Sequence, residues 1–358
     1  MEIYKKIILL IAFLIFIFII FDLYQQKQAL ALYLFDMKEN FDIPNPSQTS
    51  EDIELNSMIY NDQQKITSIS QEDANMKLSQ YIIKASYNSA CTGNYVNTNA
   101  IEYVISRGCR FVDFEVFDIS NVPMVAFSKD PTFKSIDSKN KISLDNVLTT
   151  VVTTAFSSKS PNSKDPMFIH LRVKSNNNDI YKMVAKSVDS SLKSKLYKNK
   201  INDKTKLRDI MGKIVLLLDK TIRYDYNKYT VCGNNDKNCY DLSKYINIES
   251  GSEYVRLNQY STILDQQKNR PRILDDNENT DKKFINVVIP DFNIKNTTNP
   301  SIGKFIKDYG CQIVAYKFYN KDAQLEEYEM LFNENRYGTL KLVDSIIYLT
   351  KEDEELNA

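Results

Sequence analysis

The chain has 358 residues, with 46 basic against 46 acidic side chains and a hydrophobic fraction of 43%. Balanced charge gives no polyanion-binding surface, so no nucleic-acid partner is expected, and the apolar fraction excludes a mainly disordered chain. A single histidine, His170, excludes any mechanism that needs two imidazoles from this chain.

Lys5 and Lys6 precede an unbroken apolar run of 15 residues, Ile7 to Phe21, which ends at Asp22. Spanning a bilayer takes roughly 17–25 apolar residues, so the run is slightly short, and Tyr4 and Tyr24 extend it to the two interfaces. The leading lysines favour a cytoplasmic N-terminus and an exported or luminal remainder. Residues 1–24 are therefore expected to form the transmembrane anchor of a single-pass membrane protein. A cleaved signal peptide is the competing reading, since its apolar region is usually about 7–15 residues; Ala29-Leu30-Ala31 would be its cleavage site, rather far past the run. A buried core helix is disfavoured because the segment has no polar face. Residues 25–71 are polar and aperiodic and read as a stalk. Residues 72–350 form the expected globular domain, and 351–358, KEDEELNA, read as a solvated acidic tail.

Within the domain, YIIKAS (81–86) is strand-like and NTNAIEYVISRG (97–108) is helix-like, with an asparagine cap and Gly108 as its stop. CRFVDFEVFD (109–118) and VPMVAF (122–127) follow, then the helix SLDNVLTTVVTTAF (143–156) and PMFIHLRVKS (166–175). The helix DIYKMVAKSVDSSLKSKL (179–196), GKIVLLLDK (212–220), KFINVVIPDFN (283–293), the helix SIGKFIKDYG (301–310), CQIVAYKFYN (311–320) and TLKLVDSIIYL (339–349) complete the series. Such alternation implies a mainly parallel sheet with crossover helices. About 280 residues with roughly eight strands fit a closed α/β barrel, the TIM-type (β/α)8 fold, better than an open sheet. Residues 265–283 read as a charged surface loop.

Cys232 and Cys239 bracket the polar loop CGNNDKNC and would close as a local disulfide in an oxidising compartment. Their six-residue gap fits no common zinc spacing. Cys91, Cys109 and Cys311 lie in apolar settings and read as buried thiols. Asn296-Thr297-Thr298 is a formal glycosylation acceptor.

In CRFVDFEVFD, alternation puts Phe111, Asp113, Glu115 and Phe117 on one face of a strand. Two carboxylates on an otherwise apolar face are costly to bury without a cation, a metal or water. At the end of a barrel strand they would point into the mouth, where barrel enzymes work. The ordered set IIKASYNSACTG (82–93), AIEYVISRGCRFVDFEVFD (100–118), VPMVAF, PMFIHLRVK and LRDIMGKIVLLLDK (207–220) resembles the catalytic barrel of the phosphoinositide-specific phospholipases C. YGCQIVAYKFYNKDAQLEEYEMLFNENRYGTLKLVD (309–344) resembles its closing strands, and the likeness runs from about Asn75 to Leu349.

The resemblance implies a PLC-like phosphodiesterase fold. The eukaryotic members of that family cleave the phosphodiester between diacylglycerol and an inositol phosphate, using calcium held by asparagine and acidic ligands, and two histidines. By this resemblance Asn88, Asp113 and Glu115 fall on calcium-ligand positions, with the two acids swapped in length. Tyr87 stands at the first histidine, Phe127 at the second, and Arg172 at the last calcium-binding carboxylate. The phosphate-binding lysines fall near Leu217 and Asp219, with Lys220 just beyond. Tyrosine, with a pKa near 10, is a poor general base, and phenylalanine moves no proton; each such group is typically worth about 10²–10⁴-fold. Arg172 would pair bidentately with the acids. Bacterial relatives offer a precedent, placing an arginine where eukaryotic ones bind calcium, although they keep their histidines. His170 lies two residues before Arg172 on the same face, roughly 6.6–6.8 Å deeper, and reads as a core histidine.

The expectation is a membrane-anchored pseudoenzyme with a structural or binding role and no cofactor. Two alternatives stand beside it. One is an active phosphatidylinositol phosphodiesterase with a rearranged site, in which calcium would return. The other is an exported surface protein holding inositol or sugar phosphate without turnover. Expected partners are the membrane and either a phosphoinositide or other protein components. The Lys, Asn and Ile bias suggests an A+T-rich genome of a protist or a large DNA virus, and in the viral case the barrel would be a virion component.

Overall fold

The computed structural model describes residues 49–59, 64–232, 239–265, 273–274, 282–291 and 298–356. The expected anchor, most of the expected stalk, most of the 265–283 loop and Asn296 lie outside them. Among the described residues, no helix is long and apolar enough to cross a membrane.

The strands in chain order are β1 (Tyr81–Ser86), β2 (Phe111–Ile119), β3 (Val122–Ala126), β4 (Ile142–Ser143), β5 (Met167–Val173) and β6 (Ile214–Asp219). They continue with β7 (Ile248–Ser250), β8 (Val255–Gln259), β9 (Ile285–Ile289), β10 (Ile313–Tyr316) and β11 (Thr339–Lys341). Eight of them are parallel barrel staves in the order β7-β6-β5-β2-β1-β10-β9-β8. Apart from buried polar and charged residues such as Lys84, Asp113, Glu115, His170 and Arg172, their residues are mainly apolar on both faces, as a sheet covered on both sides requires. Ile83, Phe111, Phe168, Leu217, Val255, Val287 and Ile313 fill the interior. Ile82, Val112, Ile169, Leu216, Val288 and Val314 face the helical shell.

That shell comprises α1 (Ser50–Met58), α2 (Thr98–Ser106), α3 (Leu144–Ala155), α4 (Ile180–Leu192), α5 (Tyr260–Leu264), α6 (Ile302–Lys307), α7 (Ala323–Glu334) and α8 (Leu342–Leu356). Local chemistry sets several helix starts: the side chains of Asn97, Ser143 and Asp322 accept from the backbone N–H groups of Asn99, Asn146 and Leu325, each satisfying a donor that the helix itself cannot. Gly108, just past α2, has φ +83°, and a Cβ there would lie 2.6 Å from Ile66 Cδ1. Only glycine fits that turn.

The structure departs from the sequence reading in four places. The barrel is nearly rather than fully closed, because β7 and β8 end the strand path without pairing; the turn between them is tied by Gly251 and Ser252 N–H donating to the Val255 carbonyl and by the Ser252 hydroxyl, which donates to the Glu249 carbonyl and accepts from Val255 N. Of the expected closing strands only β10 is a stave. Thr339–Lys341 instead pairs antiparallel with Tyr81–Ile83 of β1, below the part of β1 that pairs with β2. Residues expected to end the stalk are docked on the barrel, because Leu55, Met58, Ile66 and Ile69 are apolar and buried. The acidic C-terminal segment continues α8 to Leu356, with side chains 351–355 exposed, rather than forming a separate tail.

Candidate functional site

The mouth of the barrel is assembled by register. Asp113 on β2 lies beside His170 on β5, and Glu115 beside Arg172. Strand alternation turns all four side chains inward, and each is at most 1% exposed. Asn88 enters from the end of β1 in the left-handed region, φ 42°, a conformation asparagine tolerates better than most residues.

Arg172 is the centre of the cluster. Its Nε and Nη2 donate to Asp113 Oδ1 and Oδ2 at 2.8 and 2.6 Å, Nη1 donates to Glu115 Oε1 at 2.9 Å, and Nη2 also donates to Asn88 Oδ1 at 2.7 Å. Lys174, two residues on, lies 2.8 Å from Glu115 Oε2, which also accepts from the Ser128 N–H at 2.9 Å. Asn88 N donates to Asp113 Oδ2 at 3.1 Å. The Tyr87 ring lies over the guanidinium, 4.7 Å from its carbon, a cation–π geometry.

Deeper in the barrel, His170 Nδ1 meets Asp113 Oδ1 at 2.9 Å and Nε2 meets Ser250 Oγ at 2.8 Å. A carboxylate only accepts, so Nδ1 carries a hydrogen. His170 thereby ties β7 to the Asp113 cluster.

Burial alone would raise the Asp113 carboxyl, but the Arg172 charge and the bonds from His170 and Arg172 outweigh it and hold that carboxyl well below its usual range. Burial works against the Arg172 charge too, and the Asp113 carboxylate beside it more than reverses this, so its pKa stands well above the ordinary value. Burial raises Tyr87 despite the nearby guanidinium, which removes it further from general-base duty near neutral pH. Lys174 is lowered by burial, with Glu115 opposing.

The structure thus brings Tyr87, Asn88, Asp113, Glu115 and Arg172 together. Phe127 stands alongside: with Asn88, Cys91 and Glu115 it lines a narrow gap with no room for a water molecule. Leu217 is packed in the apolar interior. Asp219 accepts from Thr221 N and Oγ1 at 2.8 and 2.6 Å, and Lys220 pairs with Glu249 at 2.9 Å. Cys232 and Cys239 are joined by a disulfide, Cα–Cα 5.6 Å, and Cys91, Cys109 and Cys311 are buried thiols. Sequence reasoning missed Lys174, although the Phe168–His170–Arg172 alternation extends to it. It also missed Ser250, for which a three-residue strand gives no periodic signal.

The donor set does not fit a calcium ion. Asp113 Oδ1 accepts from His170 and Arg172, and Oδ2 from Arg172 and Asn88 N. Glu115 Oε1 accepts from Arg172 and Asn88 Nδ2, and Oε2 is held by Lys174 and Ser128 N. Every carboxylate oxygen is committed, and two fixed positive charges stand where a divalent cation would have to enter.

The fold is a nearly closed parallel (β/α) barrel like that of the phospholipases C. Residues 74–220 match the family model of the phosphatidylinositol-specific phospholipase C X domain. Among solved structures, PLC21 of L. pealei is 15% identical with a TM-score of 0.56, over 75% of this chain and 37% of that one. PLC21 of S. officinalis is 16% identical with a TM-score of 0.57, over 78% of this chain and 38% of that one. At this identity the likeness is one of fold, and the chain spans less than two fifths of either protein. No curated protein matches the chain.

Proposed function

We propose that this protein is a membrane-tethered phospholipase C-like barrel that no longer turns over phosphodiesters and serves as a structural or binding module. The observation that carries this reading is the commitment of all four carboxylate oxygens of Asp113 and Glu115 to Arg172, Lys174, His170, Asn88 and Ser128. The buried charges neutralise one another and leave neither a metal site nor a free base. Tyr87 and Phe127 at the histidine positions remove the two proton movers on which the related chemistry depends. His170 does not replace them, being fully buried between Asp113 and Ser250. Arg172 does not make a phosphate site either, since four of its five N–H donors are spent on Asp113, Glu115 and Asn88 and the Tyr87 ring covers it.

The apolar N-terminal run supports a tether with the barrel on the exported or luminal side, and the Cys232–Cys239 bridge suits an oxidising compartment. The Lys-, Asn- and Ile-rich composition favours an A+T-rich host; in a large DNA virus the module would belong to the virion membrane. To test the reading, the purified full chain is incubated with phosphatidylinositol vesicles, with calcium and with chelator. No inositol phosphate above a protein-free control is expected in either arm. Release that disappears in Arg172→Ala or Tyr87→Phe would overturn the assignment.

A further inference from the structure

The loop that leaves the mouth end of β1, residues 87–97, carries Tyr87 and Asn88 into the charged cluster and is held from outside by α1. Glu54 Oε2 accepts from Asn94 N at 2.7 Å and from Thr92 Oγ1 at 3.2 Å, while Oε1 accepts from Asn94 Nδ2 at 2.6 Å. Glu51 accepts from Asn97 Nδ2 at 2.7 Å and from Asn140 Nδ2 at 3.3 Å. Asn140 in turn brackets Val96, taking its N–H at 2.8 Å and donating to its carbonyl at 2.9 Å. The inner end of the loop is tied to the cluster: Cys91 N donates to the Asn88 carbonyl, and Asn88 N donates to Asp113. One continuous path of hydrogen bonds and a few covalent residues therefore runs from α1 to the Arg172 cluster.

We propose that α1 is a releasable clasp: seated, it fixes the 87–97 loop in the form that presents Asn88 to Arg172, and withdrawn, it frees that loop. The two carboxylates share the hold with the buried Leu55 and Met58 side chains, and they differ from those in being reachable. Two of the three Glu54 bonds, both from Asn94, lie in exposed settings, and Ile53 of α1 is 56% exposed. Such partly solvated bonds open at lower free energy than the barrel ladders.

Cys91 reports the state of the clasp. It is buried within the loop, its Sγ donates to the Gly93 carbonyl at 3.4 Å, and burial pushes its thiol up to about 12. Release exposes it and returns it toward an ordinary thiol pKa near 8.5, so maleimide labelling accelerates. The test uses the full chain in detergent, alkylated with N-ethylmaleimide and read by peptide mass spectrometry, with buried Cys109 and Cys311 as internal controls. Glu51→Ala/Glu54→Ala is expected to speed Cys91 labelling by about tenfold or more, with the two controls unchanged. A Cys91 rate within about twofold of the parent overturns the proposal. So does equal acceleration at all three cysteines, because α1 would then be an ordinary part of the core. If the double variant lacks a cooperative melt, Glu54→Gln is read by the same criteria.

Discussion

Replacing Arg172 by methionine keeps the length of the side chain but leaves Asp113 and Glu115 buried with Lys174 as their one cationic partner beside His170, Asn88 and Ser128. Arg172 donates four hydrogen bonds of 2.6–2.9 Å to charged or polar acceptors. At about 1.5–3 kcal/mol each they would sum to roughly 6–12 kcal/mol. Asp113 escapes part of that by taking up a proton, which holds the loss near the ~3–5 kcal/mol typical of removing one partner from a buried pair. For a cooperative unit of about 300 residues, an unfolding entropy near 0.6 kcal/mol/K turns this into a fall in Tm of about 5–8 °C. The pH dependence follows in sign. In the parent, the Asp113 carboxyl is depressed, so its stabilisation is present above the unfolded value near 4 and is lost only as pH falls through the depressed folded value. In the variant, burial is no longer opposed by Arg172 and the carboxyl rises, so stability is lost as pH rises through the new value. The Tm deficit should be largest near pH 8 and smaller near pH 5, followed by circular dichroism, since the chain has no tryptophan. A deficit below about 1 °C, or one independent of pH, would refute the idea that Arg172 neutralises these acids.

Two further outcomes are expected. Calcium and chelator should leave the parent Tm equal, whereas Arg172→Glu/Lys174→Ala, which removes both internal cations and adds a carboxylate, should gain several degrees in about 10 mM calcium; a calcium response in the parent would contradict the committed donor set. Asp165 is fully buried; its Oδ1 accepts from Ile69 N at 3.0 Å and its Oδ2 has no partner. Burial raises its carboxyl to about 7 against the pull of Arg110. An acid raised in this way contributes stability that is complete below about 4 and is lost as pH rises through about 7. Asp165→Asn keeps the Ile69 acceptor and should flatten the melting profile between those limits while raising Tm at pH 8, and an unchanged profile would remove Asp165 from the account.

Much of the site was legible because strand periodicity is a local property. The alternation in FVDFEVF and FIHLRVK places Asp113 with Glu115, and His170 with Arg172 and Lys174, before any fold is known. Lys174 was readable by that rule, yet it matched no family position and so drew no attention. The docking of residues 49–59 and 64–71 was obscured because four buried apolar side chains, Leu55, Met58, Ile66 and Ile69, are scattered through a polar stretch without a period. Ser250 belongs to a three-residue strand, too short for any pattern, and its importance lies wholly in the residue opposite it.

The sequence by itself determined six of the eight staves, their inward faces and the Asn97 cap, since each depends on residues a few positions apart. Tertiary structure alone decided that Asp113 faces His170, that Glu115 faces Arg172, and that Lys174 closes the remaining carboxylate oxygen. It also decided that the ring stays open between β7 and β8 and that α1 grips the loop behind Asn88. Those outcomes depend on strand register and on contacts between residues tens to hundreds of positions apart. No local preference encodes them, because they are fixed only when the whole barrel minimises its buried, unpaired charge.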